Sequence, residues 1–134
     1  MTNQFDLNSK VALVIEDSPT QATHLQAILE QEGIQVLCAI NGRMGLRMAH
    51  QLHPDVIILD IQMPEVNGFE VCKMLKASSD VADVPIILFT RWDATEAVQL
   101  GLEYGAIDYI PKDAFADAVL IETLRQMGIV NRED

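Results

Sequence analysis

Val56-Ile57-Ile58-Leu59-Asp60-Ile61-Gln62-Met63-Pro64, with Gly68 four residues further on, sets four aliphatic residues in a row directly against a carboxylate. An apolar run without polar alternation is what a strand covered by helices on both faces requires. Its length, bounded by Pro54 before and Met63-Pro64 after, suits a strand and not a buried helix. Asp60 therefore stands where the strand leaves the core, and the segment to Gly68 reads as a loop that exposes its carboxylate.

The same pattern repeats outward from this run. Val11 to Ile15 is a second run apolar on both sides of the pleat, stopped by Ser18-Pro19. Ser18 suits a helix N-cap, Pro19 the first helical position, and Gln21 stands three after Ser18 as in a capping box. Leu25, Ile28 and Leu29 follow at helical spacing, and Gly33 closes that helix. Further strands are expected over Ile34–Ala39, Pro85–Phe89 and Ala106–Ile110. Further helices are expected over Gly42–Gln51, about Gly68–Ala77, about Ala94–Glu103, and Ala114–Met127. In the last of these Val119, Leu120 and Leu124 line one side, enough to cover a sheet and too short for a coiled coil. Five alternations of strand and helix with short connections predict a parallel sheet with helices on both faces.

The 134 residues allow one domain, and 49% hydrophobic residues supply a core without metal or disulfide staples. Residues 1–134 are read as a single domain with its core at about 10–127 and polar ends before about Ser9 and after about Gly128. Twenty acidic against nine basic residues give a net charge of −11, which repels a phosphate backbone or an anionic membrane surface. Direct nucleic-acid and membrane partners are not expected. Cys38 and Cys72 lie in apolar stretches and read as small buried hydrophobes, which fits a reducing, cytoplasmic setting. No apolar run approaches the roughly 18 residues of a membrane span, and the first residues lack signal-peptide order.

Parallel strands end at one edge of their sheet, and ligands of open α/β sheets bind outside that edge. The polar residues expected there are Glu16-Asp17 after the first strand, Asp60 after the third, Thr90 after the fourth and Lys112 after the fifth. Taken singly each has a plain reading: a helix cap, a strand-end filler or a surface charge. Taken together, three carboxylates at one rim would repel unless a cation compensates, and oxygen ligands favour a hard ion such as Mg²⁺.

Glu16-Asp17, Asp60 with Met63-Pro64 and Gly68, Thr90, Tyr109 and Lys112, in that order, resemble the receiver domain of two-component response regulators, in particular single-domain regulators of the chemotaxis type. The resemblance runs from about Lys10 to Met127. It implies a flavodoxin-like three-layer (βα)5 sandwich with a parallel five-stranded sheet of order 2-1-3-4-5, for which a receiver protein is a known example. It also implies that Asp60 is the phosphoacceptor, taking a phosphoryl group from a histidine kinase or histidine phosphotransfer protein. Glu16, Asp17, Asp60 and the Gln62 backbone carbonyl would hold Mg²⁺, and Lys112 would pair with a phosphate oxygen. Thr90 would move toward the phosphate, and the ring of Tyr109 would fill the space it leaves. The face formed by the fourth helix, fifth strand and fifth helix would then engage a downstream protein target; it could also pair two copies as a homodimer. Such a domain is a signalling module, limited to self-phosphorylation and slow autodephosphorylation. For Tyr109 the plain alternative is a half-buried strand aromatic with its hydroxyl in water.

Two departures from the family pattern carry expectations of their own. Arg91 and Trp92 follow the switch hydroxyl where the family usually has a small residue, so with Gln62 they are expected to crowd the path of water to the aspartyl phosphate. Pro111-Lys112-Asp113 lacks the proline that often follows the lysine in a cis peptide, and a cis bond before a non-proline residue costs about 2.5–4 kcal/mol, so Lys112 is expected to be aimed differently. His24, His50 and His53 have no carboxylate at ligand spacing in the sequence and read as surface histidines, while Met44, Met48 and Met74 read as packing residues. Three other readings compete. A flavodoxin-like electron carrier would need a phosphate loop where Glu16-Asp17 stands. A small Asp-nucleophile phosphatase would need an acid where Gln62 stands. A pseudo-receiver would dock partners without being phosphorylated.

Overall fold

The computed structural model describes residues 9–130; the polar ends expected at residues 1–8 and 131–134 lie outside the described residues. Five strands and five helices alternate: β1 Val11–Ile15, α1 Pro19–Glu30, β2 Gln35–Ala39, α2 Gly42–Leu52, β3 Val56–Leu59, α3 Gly68–Lys76, β4 Ile86–Thr90, α4 Thr95–Glu103, β5 Asp108–Pro111 and α5 Ala116–Gln126. The strands form one parallel sheet of order β2-β1-β3-β4-β5, as the sequence predicts.

Alternate residues of each strand enter two separate cores, because side chains on a strand point to opposite faces. Leu13, Ile15, Ile57, Leu59, Ile86 and Leu88 face α2, α3 and α4. Ala12, Val14, Ile58, Ile87, Phe89 and Ile110 face the other way, against Leu25 and Leu29 of α1 and Leu120 and Leu124 of α5. Every residue of β3 is buried, which accounts for its unbroken aliphatic sequence.

The differences from the expected elements have local causes. β5 begins at Asp108 and not Ala106, since Ala106 is still bonded to Gly101 at the C-terminal end of α4. β4 extends through Thr90, which is the last residue of the strand. α5 starts two residues later than Ala114, and its Val119 is 46% exposed: only Leu120 and Leu124 cover the sheet. Ile129 and Val130, assigned to a polar end, pack on the α1/α5 core. Met74 is exposed although it was read as a packing residue, whereas Met44 and Met48 do pack on the core. Cys72 is buried, but Cys38 is only half-buried.

The Ser18 side chain caps α1 by accepting the Gln21 N–H, yet the return bond of a capping box is absent there. The full box is at the start of α3, where Asn67 and Glu70 exchange bonds. α3 is thereby fixed directly behind the loop that carries Asp60. Gly68, the first residue of that helix, lies so close to the loop that a Cβ on it would sit 2.4 Å from the Asp60 carbonyl oxygen and 2.7 Å from the Ile61 Cα. Backbone atoms cannot yield as a flexible side chain can. Gly68→Ala is therefore expected to lower stability by about 1–3 kcal/mol, the usual cost of overpacking, read as a lower urea midpoint with an unchanged slope.

Candidate functional site

The sheet's own hydrogen bonds run past the strand ends and hold the polar residues in place. The Glu16 N–H donates to the Ala39 carbonyl (3.0 Å), the Asp60 N–H to the Ile15 carbonyl (3.0 Å), and the Lys112 N–H to the Thr90 carbonyl (2.7 Å). Glu16, Asp60 and Lys112, far apart in the chain, are thus set at one rim by the same ladder that orders the strands. Carboxylate oxygens of Glu16, Asp17 and Asp60 lie within 4.8 Å of one another, with Glu16 and Asp60 buried and Asp17 exposed. Asp60 is only 9% exposed, so the loop after β3 does not expose its carboxylate as the sequence suggested. The Gln62 N–H donates to Asp60 Oδ1 at 3.3 Å, and the first residue of α3 lies against the Asp60 backbone carbonyl.

Lys112 provides the compensating charge. Its Nζ donates to Glu16 Oε1 at 2.6 Å, to Asp60 Oδ2 at 3.4 Å and to Gln21 Oε1. The other Glu16 oxygen accepts the Ser18 N–H at 3.1 Å. Burial pushes the Glu16 carboxyl above its usual range and the neighbouring Asp60 adds to this, while the Lys112 and Ser18 hydrogen bonds oppose it. Among the described residues no peptide is cis, so the Lys112–Asp113 bond is trans, and Lys112 still reaches both acids.

Gln21 is the rim residue that sequence reasoning misassigned. Three after the cap residue it matched a capping box, but its amide turns instead to Lys112. The signal available was its place: one turn into the helix that follows the acid pair, it faces the same rim as Glu16.

Thr90 is fully buried, and its hydroxyl accepts the Trp92 N–H at 3.5 Å. Tyr109 is 7% exposed, and its hydroxyl donates to the Trp92 carbonyl. That corrects the reading of a half-buried ring with its hydroxyl in water. The ring already lies inward, across α4 at Gly101, where a Cβ would come 3.1 Å from it. Burial, with Asp60 and Asp93 adding to it, pushes the Tyr109 phenol up to about 12.

Arg91 and Trp92 part company. Arg91 is exposed and lines a cleft of about 430 Å³ between α1 and α5 together with Gln21, His24, Lys112 and Asp117; Asp60 is outside that lining. Trp92 leans on Phe69 at the start of α3, ring centroids 5.8 Å apart. Arg91 thus turns into that cleft, and Trp92 turns to the start of α3. The histidines also differ from their reading, since each has a carboxylate neighbour contributed by another element. His24 Nε2 is 2.5 Å from Asp117, His50 Nδ1 is 2.7 Å from Asp80, and His53 Nε2 is 3.9 Å from Asp80. All three are exposed: His50 and His53 share Asp80, while His24 and Asp117 line the same cleft as Gln21 and Lys112.

The comparisons agree with this geometry. The response regulator receiver domain family matches residues 12–125. The chain is 38% identical over 108 residues to protein PilH of Pseudomonas aeruginosa, covering 81% of this chain and 89% of PilH. It is 39% identical over 100 residues to the DNA-binding response regulator MtrA of Mycolicibacterium smegmatis, covering 75% of this chain; it spans only 42% of that longer protein. Among solved structures, the receiver domain of a signal transduction histidine kinase from Syntrophus aciditrophicus superposes with a TM-score of 0.81 at 38% identity, covering 94% of this chain and 96% of that one. The strand order, the acids gathered at one rim and these likenesses lead to one assignment: the chain belongs to the response regulator receiver domains of two-component signalling.

Proposed function

We propose that this chain is a phosphoacceptor receiver, in which Asp60 takes a phosphoryl group from a phosphohistidine on a histidine kinase or histidine phosphotransfer protein. The observation that carries the reading is the pairing of one buried carboxylate, Asp60, with one ammonium, Lys112, at 3.4 Å on the rim that also holds Glu16 and Asp17. Phosphoryl transfer asks chiefly for in-line positioning and for positive charge at the peripheral oxygens. Lys112 supplies one such charge, held between Glu16 and Asp60.

The acid cluster fits Mg²⁺: oxygens across a small octahedral ion stand roughly 4 Å apart, a span compatible with the 4.8 Å within which these three groups lie. When bound, the ion supplies charge neutralisation at the phosphoryl oxygens. Asp17 and Asp60 are suited to hold it directly. Glu16, already committed to Lys112 and the Ser18 N–H, is suited to hold it through water. The Gln62 carbonyl would complete the protein ligands, its peptide being tied to Asp60 through the N–H.

Phosphorylation replaces one negative charge by nearly two and adds three acceptor oxygens. Thr90 then gives up the weak bond to the Trp92 N–H for a phosphoryl oxygen, and the Trp92 backbone, whose carbonyl accepts from Tyr109, carries the change to β5. The sequence-based expectation had the ring move inward on activation. With the ring already inward, the change lies in how firmly Thr90 and Tyr109 hold Trp92. The α4-β5-α5 face is the output surface for a downstream protein target, and a homodimer through it is part of the same proposal. The chain acts as one receiver domain, in the cytoplasm, as a signalling module and not a turnover enzyme. No helix among the described residues is long and apolar enough to cross a membrane.

Three outcomes test this reading. With acetyl phosphate and Mg²⁺, intact mass is expected to rise by about 80 Da in the wild type and not in Asp60→Asn; an unmodified wild type would instead mark a pseudo-receiver. Trp92→Ala is expected to shorten the phosphate half-life about two- to fivefold by opening the approach of water, a positioning effect of under about 1 kcal/mol, and Arg91→Ala to leave it unchanged. The Tyr109 phenolate, followed by ultraviolet difference spectra against Tyr109→Phe, is expected to form near pH 12. Since the folded value lies above the usual 10, the stabilisation linked to it is complete below about pH 10 and is lost as pH rises through about 12.

A further inference from the structure

An ammonium has three N–H donors, and Lys112 faces three acceptors that are not equivalent: Glu16 Oε1, Gln21 Oε1 and Asp60 Oδ2. Glu16 is 2% exposed and pinned through its second oxygen. Gln21 belongs to the first turn of α1, which is fixed by the Ser18 cap and Pro19. Asp60 is the most distant of the three, at 3.4 Å. On a tetrahedral ammonium, fixing two N–H directions fixes the third.

We propose that Gln21 is a positioning residue: with Glu16 it holds the Lys112 ammonium so that the remaining N–H is aimed at Asp60, and hence at an oxygen of the phosphoryl group placed there. The proposal rests on reading Asp60 as the phosphoacceptor. Two features make such an anchor necessary. The Lys112 stem borders the open cleft between α1 and α5, and Asp113 and Asp117 line that same cleft, so an unanchored ammonium has space and competing carboxylates to swing toward. A neutral amide also orients the ammonium without cancelling its charge, whereas a carboxylate at the same place would withdraw charge that the transferring group needs.

In the step itself the bond from phosphorus to the donor breaks and the donor leaves with the electron pair: the P–N bond and the imidazole for a phosphohistidine, the bond to the acyl oxygen and acetate for acetyl phosphate. A carboxylate oxygen of Asp60 forms the new bond to phosphorus. Lys112 keeps its proton throughout and only stabilises charge on a peripheral oxygen.

The test uses the full chain with acetyl phosphate and Mg²⁺, following intact mass over time for wild type, Gln21→Met and Gln21→Glu. Reductive methylation is mapped in parallel at Lys112 and at Lys76, whose Nζ is bonded to the Ala82 and Val84 carbonyls away from the rim and serves as the internal reference. Gln21→Met is expected to slow phosphorylation about threefold to tenfold, the worth of one ordinary net hydrogen bond, and to raise Lys112 methylation relative to Lys76. Gln21→Glu is expected to keep Lys112 protected and still slow the transfer. An unchanged methylation ratio in Gln21→Met with Lys76 as protected as in the wild type, or wild-type transfer rates in either variant, overturns the proposal. If Gln21→Met exposes Lys76 as well, the fold has loosened, and Gln21→Glu decides alone. A wild type that gains no mass refutes the phosphoacceptor reading; a phosphorylated wild type matched in rate by Gln21→Met refutes the role of Gln21.

Discussion

The Lys112 ammonium lies 2.6 Å from Glu16 and 3.4 Å from Asp60, and without it the rim would hold two buried like charges side by side. Taking a carboxylate out of water costs several kcal/mol unless a partner compensates, and two adjacent carboxylates add repulsion to that cost. The upward push on Glu16 is the residue of this conflict after Lys112 has relieved part of it. A functional site here is a local sacrifice of stability, supported by a sheet whose central strand β3 is buried at every position. The same conflict makes the rim receptive to further positive charge, and it makes the aim of the one resident cation consequential.

How that cation is held follows from topology. Residues 96 and 52 positions apart, Lys112 with Glu16 and with Asp60, meet because parallel strands bring all their C-terminal ends to one edge. The ladder continues one residue beyond the strands at Glu16, Asp60 and Lys112, so the backbone at these positions is as fixed as the strands themselves. Gly68 completes the arrangement from the far side, its missing side chain allowing the start of α3 to touch the Asp60 carbonyl. Asp60 is therefore enclosed by the sheet edge, a helix start and Lys112, with Asp17 as its exposed acidic neighbour.

The architecture was legible because its signals are local and strong: unbroken aliphatic runs at β1, β3 and β4, breakers between them, and acids directly after β1 and β3. What escaped the sequence depends on side-chain direction or on contacts between distant elements. Gln21 fits a cap by spacing, and only the fold shows its amide turned to Lys112. Tyr109 is readable as a strand aromatic, but its burial comes from the gap at Gly101 across α4. Asp60 read as exposed because it opens a loop; in the fold its carboxylate is met by the Gln62 N–H of that loop and by Lys112 from beyond β5. The His24–Asp117 and His50–Asp80 pairs join residues 93 and 30 positions apart, beyond any spacing rule.

Trp92 gives the clearest case of one residue joining several parts of this rim. Its N–H binds the Thr90 hydroxyl, its carbonyl accepts from Tyr109, and its ring rests on Phe69, which in turn packs edge-on against Tyr104 at 5.8 Å. A change at the Thr90 hydroxyl thus meets a single residue that is also tied to β5 and to the helix starting at Gly68. Of these ties the Thr90 bond is the longest at 3.5 Å and so the weakest. The Thr90 bond is therefore the one most easily exchanged, whereas the Tyr109 bond, made by a buried phenol whose unpaired hydroxyl would be costly, is the firmer of the two. The two backbone groups of Trp92 are thus held unequally, loosely toward β4 and firmly toward β5.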